Sequence, residues 1–271
     1  MSVQSEKGER FRALHAETFV IANAWDAGSA RILTALGFKA LATSSGACAG
    51  VLGRRDGMVT RDEALAHCKA VVDATDLPVS ADLEKGFGDS PRAAADTIRL
   101  AAHIGLVGAS IEDATGDPAH PLFNASLAQE RIVASVEAAR SAPFPFTLTA
   151  RTENYLRGNP DLDDTIRRLR SFEAAGADVL MAPGLPDLDA VRAVCAALSK
   201  PVNFMAGIKG KSFTVAALGK AGVKRVSLAT SLYRAAMTGL VNAAKEVAES
   251  GTFGYLDDSL ATPALNAFMQ G

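Results

Sequence analysis

Eight short apolar runs, each of strand length and each followed by a stretch of helical character, constrain this chain more than any other feature. They are Phe19–Ala22, Ala40–Thr43, Pro78–Ala81, Ala109–Ile111, Phe146–Ala150, Asp178–Met181, Pro201–Met205 and Arg225–Ala229. None alternates strictly between apolar and polar residues, as suits parallel strands covered on both faces. Eight strand–helix units in 271 residues match the content of a (β/α)8 barrel, which typically needs about 250. An open doubly wound sheet usually has fewer strands and often a G-x-G-x-x-G turn, which is missing here. The expected class is therefore α/β, a (β/α)8 TIM barrel forming a single domain over residues 1–271.

Local signals mark the helix limits. Thr60 with Glu63 forms a capping box, Ser90 precedes Pro91 at a first helical position, and Asn124 precedes Ala125-Ser126-Leu127. Gly37, Gly176 and Gly222 each close an alanine-rich turn just before a strand, where a left-handed cap is expected. Residues 1–17 read as a leading helix. Residues 252–271 read as a C-terminal helical extension whose Phe253, Tyr255, Leu256, Leu260, Leu265 and Phe268 need cover, from a second subunit or from their own barrel.

Composition narrows the function. A hydrophobic share of 48% excludes disorder, and 28 basic against 30 acidic residues, with no basic cluster, argue against a nucleic-acid partner. The charged start Met1–Lys7 is unlike a signal peptide, and no window approaches the ~18 apolar residues of a membrane span, so a cytoplasmic location is expected. Cys48, Cys68 and Cys195 are scattered and read as free thiols.

In a barrel of this kind chemistry sits at the C-terminal ends of the strands, and here those ends are polar. Asn23-Ala24-Trp25-Asp26 follows strand 1, Ser44-Ser45-Gly46-Ala47 strand 2, and Asp82-Leu83-Glu84-Lys85-Gly86-Phe87-Gly88 strand 3. Strand 4 ends in Glu112-Asp113, strand 5 in Arg151-Thr152-Glu153-Asn154, and Asn203 lies within strand 7. Asp82 and Glu84, two apart on an extended segment, are expected to point the same way, beside Glu112. Three carboxylates without histidine or thiolate form a hard oxygen site suited to Mg²⁺ or Mn²⁺. Asp113 faces away from Glu112 and reads as a cap or ion-pair partner. Arg151 needs an anion, either a substrate carboxylate or phosphonate or an acid such as Glu153. Trp25 either walls the pocket or packs under the first loop. Lys209-Gly210-Lys211-Ser212 is no P-loop, because Met205 occupies the first glycine position. Of the histidines, His15, His67 and His103 fall on helices as surface or packing residues, and only His120 is placed to act as an acid or base.

Taken in order, Asn23–Arg31, Ser44-Ser45-Gly46, Gly53–Gly57, Asp82–Gly88, Ile111-Glu112-Asp113 and Ala150-Arg151-Thr152-Glu153 resemble the isocitrate lyase and phosphoenolpyruvate mutase superfamily. The resemblance implies a Mg²⁺-dependent barrel enzyme acting on a 2-oxo acid or its enolate. It also implies a homo-oligomer, usually a tetramer, exchanging a C-terminal helix. It makes Asp82, Glu84 and Glu112 the metal carboxylates, some acting through water. Ser45, Gly46 and Ala47 become the loop that holds the substrate carboxylate. Trp25, Ser44 and Asn203, from their places at the strand ends, are expected as further substrate contacts. Asp56 and Arg151 take the catalytic positions.

The departures bear on the reaction. Residues 114–124 lack the cysteine of the Lys-Lys/Arg-Cys-Gly-His gating loop, so a typical isocitrate or methylisocitrate lyase is not expected. Glu84 replaces a second aspartate, Lys85 fills a position normally small or neutral, and Met181-Ala182-Pro183-Gly184 lacks the acid or histidine often found after strand 6. The expected activity is C–C cleavage next to a 2-oxo or 2-hydroxy carboxylate, as a lyase or decarboxylase-like enzyme working through an enolate on a small carboxylate substrate. The alternatives are P–C chemistry, as a phosphonomutase or phosphonopyruvate hydrolase, and a non-catalytic metabolite-binding barrel.

Overall fold

The computed structural model describes residues 2–269. Its strands are β1 (Phe19–Asn23), β2 (Leu41–Ala42), β3 (Val79–Asp82), β4 (Gly108–Glu112), β5 (Thr147–Arg151), β6 (Val179–Met181), β7 (Val202–Met205) and β8 (Arg225–Ser227). All are parallel, pair in sequence order and close through β1 and β8. Every expected apolar run overlaps one of them. The longest register joins β4 to β5 over five pairs and sets Glu112 beside Arg151.

The helices are α1 (Val3–Leu14), α2 (Ala27–Ala35), α3 (Ser45–Val51), α4 (Arg61–Asp73), α5 (Pro91–His103), α6 (Ala125–Arg140), α7 (Leu162–Ala174), α8 (Leu188–Ala197), α9 (Val215–Lys220), α10 (Ser231–Ser250) and α11 (Thr262–Ala267). The capping box of Thr60 and Glu63, the Ser90 cap with Pro91 behind it, and the Asn124 cap all form. Gly37, Gly176 and Gly222 stand at φ 87°, 98° and 101° just after α2, α7 and α9.

Two local expectations change. Ser45, Gly46 and Ala47 open the short helix α3, with Ser44 as its N-cap, rather than forming a loop. The strand also stops at Asp82, and Glu84 turns to φ +50°, so alternation no longer relates these two side chains. A non-glycine residue in the left-handed region is strained, and the surrounding loop must hold it there.

The core lies between the barrel and its helices, with Leu41, Leu83, Ile98, Ile111, Leu148, Leu169 and Phe172 at most 1% exposed. Helix α1 closes the N-terminal end. Its Phe11 packs with Ile21, Ala40, Ala42 and Val107, and its Arg12 donates to the Phe146 carbonyl just before β5. The polar mouth therefore lies at the opposite end.

Candidate active site

The strand ends bring acids from β3 and β4 to one guanidinium on β5. Arg151, mostly buried, lies 3.4 Å from Glu112, 3.8 Å from Asp82 and 2.6 Å from the fully buried Glu153. Arg157, one helical turn beyond Glu153, reaches Glu112 at 3.6 Å and Glu153 at 3.2 Å and stays partly exposed. Asp82 is fixed from below, since its N–H donates to Thr43 Oγ1. Its carboxylate accepts from the backbone N–H of Ser45 and of Glu84, both at 3.3 Å. The first turn of α3 is thus tied to the acid cluster.

Asp56 belongs to the same rim. A Cβ on Gly46 would stand 3.2 Å from Asp56 Oδ2 and 2.9 Å from Thr230, so the absence of a side chain there lets Asp56 close over α3. Asn23 and Asn203 enter from the β1 and β7 sides. Asn23 donates to the Thr43 carbonyl and accepts from the Leu228 N–H, stitching β2 to β8, while Asn203 donates to Ser227. A cavity of about 60 Å³ reaches down the barrel axis between Asp82, Arg151, Asn23, Asn203 and Ser227. Trp25 does not line it. Its ring meets Tyr233 of α10 edge-on at 5.7 Å, and its carbonyl accepts from His67.

Charge at the rim is unbalanced. Burial, Asp82 and Asp56 push the Glu84 carboxyl up to about 7. Burial, with Glu153 and Asp82, raises Glu112 despite the nearby arginines. Burial opposes the charge on Arg151, but Glu112, Glu153 and Asp82 outweigh it and hold the guanidinium firmly protonated. Like-charged oxygens crowded in this way call for a cation. Among the described residues no three acid, histidine or cysteine side chains form a ready-made metal cage. That is compatible with Mg²⁺, which keeps several waters and takes only one or two direct carboxylates, and the donors present are all hard oxygens. The residues fit such an ion.

The remaining candidates separate cleanly. Asp113 pairs with Arg168 at 3.2 Å and accepts from Thr152 and the Glu153 N–H, so it is an ion-pair partner behind the site. Burial pushes the Cys48, Cys68 and Cys195 thiols up to about 11, 12 and 11, which leaves them unreactive at neutral pH. His120 is exposed and pairs only with Asp117 at 3.3 Å in its own loop. That loop, residues 114–124, is anchored by Lys85, whose ammonium bonds the Thr115 carbonyl and Asp89. Sequence reasoning missed Arg157 and Arg225. The spacing Arg151, Glu153, Arg157 was a visible signal for the first, since it puts a second cation one turn from the buried acid. The second carried none, because only the closed barrel brings it under the mouth.

Comparison with known proteins supports the same frame. The family model for phosphoenolpyruvate phosphomutase matches residues 11–248. An uncharacterized protein of Mycobacterium tuberculosis is 34% identical over 243 residues, covering 88% of this chain and 89% of that one. The 2-methylisocitrate lyase of Escherichia coli K12 is 30% identical over 210 residues, 74% of this chain and 70% of that one. A crystal structure from Burkholderia cenocepacia J2315, described only as a lyase/mutase, superposes with TM-score 0.98 at 48% identity over 100% of this chain and 98% of the other. With a closed parallel barrel, the ordered acids at its mouth and these matches, the chain belongs to the phosphoenolpyruvate phosphomutase family, within the superfamily of isocitrate-lyase-type lyases and mutases.

Proposed function

We propose that this chain is a Mg²⁺-dependent enzyme (Mn²⁺ as substitute) that cleaves a C–C bond next to a 2-oxo or 2-hydroxy carboxylate of a small dicarboxylate, through an enolate. The observation that carries this reading is the crowding of acids at one rim: Asp82 and Glu112 lie against Arg151, and burial together with Asp82 and Asp56 raises the nearby Glu84 carboxyl to about 7. Asp82, Glu84 and Glu112 would hold the ion, in part through water. When bound, it supplies Lewis-acid stabilisation of the enolate oxygen.

The chain's own groups do the rest. The Arg151 fork, aimed into the mouth, takes a substrate carboxylate bidentately once Asp82 and Glu112 are otherwise occupied. At the first turn of α3, capped by Ser44 and tied through the Ser45 N–H to Asp82, the backbone N–H groups of Gly46 and Ala47 hold the other oxygens together with the amide of Asn203. Asp56, at the lip beside Gly46, is the carboxylate placed to stabilise charge or move a proton. Glu153, locked between Arg151 and Arg157, keeps the guanidinium aimed into the mouth. A second copy of the chain is proposed to cover the apolar residues of α10 and of the C-terminal extension, making a homo-oligomer such as a tetramer.

Assay of oxaloacetate, alkylmalates and phosphonopyruvate, with and without Mg²⁺, tests the reading. Metal-dependent cleavage of one of the first two is the expected outcome, and Glu84→Ala should weaken the metal-dependent activity roughly 10- to 100-fold. Turnover of phosphonopyruvate alone would replace C–C with P–C chemistry. Tight oxalate binding without Mg²⁺ and without any turnover would make the barrel a metabolite-binding protein.

A further inference from the structure

At the floor of the cavity stands a buried cation without a counter-ion. Arg225, the first residue of β8, is only 4% exposed, and no acid among the described residues lies within ion-pair distance of it. All its acceptors are neutral. Its Nε–H donates to Asn203 Oδ1 at 2.9 Å, one Nη to Thr149 Oγ1 at 2.7 Å, and the other faces His15 Nε2 at 3.5 Å. The Phe11 ring lies 5.9 Å from its Cζ. Such a charge is a poor way to stabilise a core, because apolar residues of similar volume usually do as well or better.

The consequence of Arg225 is polarity. An arginine can only donate, so the Asn203 atom facing it must be the carbonyl oxygen, and the amide NH₂ is turned the other way. One of those N–H groups donates to Ser227 Oγ at 3.0 Å. Ser227 Oγ is thereby an acceptor at that contact, and its own O–H is left to donate elsewhere. Each hydrogen in the chain from Arg225 through Asn203 to Ser227 points away from the cation, and hydrogen bonds aligned in this way reinforce one another. Asn203, Ser227 and Arg225 all border the cavity that also holds Arg151 and Asp82. One side of this cavity thus carries the Asp82–Arg151 pair, and the opposite side is set as donors.

We propose that Arg225 is a positioning residue for anion binding: it fixes Asn203, and through it Ser227, as donors, so that the β7–β8 side of the cavity accepts an oxygen of a small carboxylate. The inference rests on the carboxylate-binding reading above and assigns the side on which that group is held.

Oxalate titrated calorimetrically into the Mg²⁺-loaded protein, with melting temperatures measured alongside, tests it in two variants. Arg225→Met, shown to be folded by circular dichroism, should bind oxalate roughly 10- to 100-fold more weakly than wild type. Asn203→Asp puts a carboxylate opposite Arg225. It should raise the melting temperature by roughly 2–4 °C while abolishing oxalate binding, a pairing of effects that a purely structural Asn203 would not produce. Wild-type affinity in folded Arg225→Met overturns the proposal, and so does a lower melting temperature in Asn203→Asp, whatever its binding. If Arg225→Met does not fold, the Asn203→Asp result decides alone. Oxalate binding by wild type with unchanged binding in the variants removes only this inference. No oxalate binding by wild type removes the functional reading as well.

Discussion

Single side chains in this barrel are tuned by what closes over them. His15, at the end of α1, is held neutral because burial and the Arg225 charge pull its pKa down to about 4. Its ring nitrogen Nδ1 can then donate to the Phe11 carbonyl at 2.9 Å, leaving Nε2 toward Arg225. As pH falls below 6.5 the unfolded chain takes up this proton, whereas the folded chain refuses it until about pH 4. The stability held by neutral His15 is therefore full above pH 6.5 and is lost between 6.5 and 4, by up to about 3 kcal/mol. Urea midpoints across that window should fall less steeply for His15→Gln than for wild type; parallel profiles would show that His15 is not the titrating group. Glu84 behaves in the opposite sense. Its raised carboxyl is a burden that grows as pH rises from 4.5 towards about 7 and that a divalent ion should offset. Thermal stabilisation by Mg²⁺ is accordingly expected to be larger at pH 8 than at pH 5.5, and a stabilisation that does not change with pH, or is equally large in Glu84→Gln and wild type, would count against cation binding at Glu84.

At the scale of elements, α1 and the β3–α5 loop are the parts that hold the two ends of the barrel. Helix α1 seats so closely that a Cβ on Gly8 would stand 2.2 Å from the Pro145 carbonyl oxygen, which is backbone and cannot turn aside. Gly8→Ala should destabilise the protein by about 1–3 kcal/mol in chemical denaturation, and a neutral result would mean that α1 is not clamped at Gly8. At the other end Arg131, 1% exposed, donates to the carbonyls of Lys85, Gly88 and Asp89 and lies 4.4 Å from the Phe123 ring centroid. It joins α6 to the segment that carries Glu84 and to the end of loop 114–124. These contacts brace the loop in which Glu84 adopts its left-handed conformation. The caps at Thr60, Ser90 and Asn124 were legible beforehand because capping involves only neighbours within three residues.

The whole molecule leaves one surface unresolved by its own packing. None of the twenty residues of α10 is buried, and Leu240, Phe253, Leu256 and Leu260 are exposed, although Arg31 on α2 donates to the Met269 carbonyl at 3.0 Å and so fastens the end of the extension to its own barrel. Apolar surface gathered in this way asks for a partner, and a second copy is the proposed one. Light scattering at micromolar concentration should give a mass above 28.1 kDa, and Leu240→Asp should shift it towards monomer. A monomeric wild type would leave the extension packed on its own subunit. No described helix is long and apolar enough to cross a membrane.

The order of the strands, the helix starts at Thr60, Ser90 and Asn124, the glycine stops at Gly37, Gly176 and Gly222, and the acids and arginine at the strand ends were written in the amino-acid sequence. These depend on periodicity, capping and termini, which act over a few residues. Glu153 locking Arg151, Arg157 reaching Glu112, the left-handed turn that redirects Glu84, and Arg225 fixing Asn203 were decided only when the barrel closed. Thr149 and Arg225 are 76 residues apart and Arg225 and His15 are 210. Which buried groups end up facing one another across such separations is set by strand register and by what α1 presses into the barrel floor, and no local pattern carries that information.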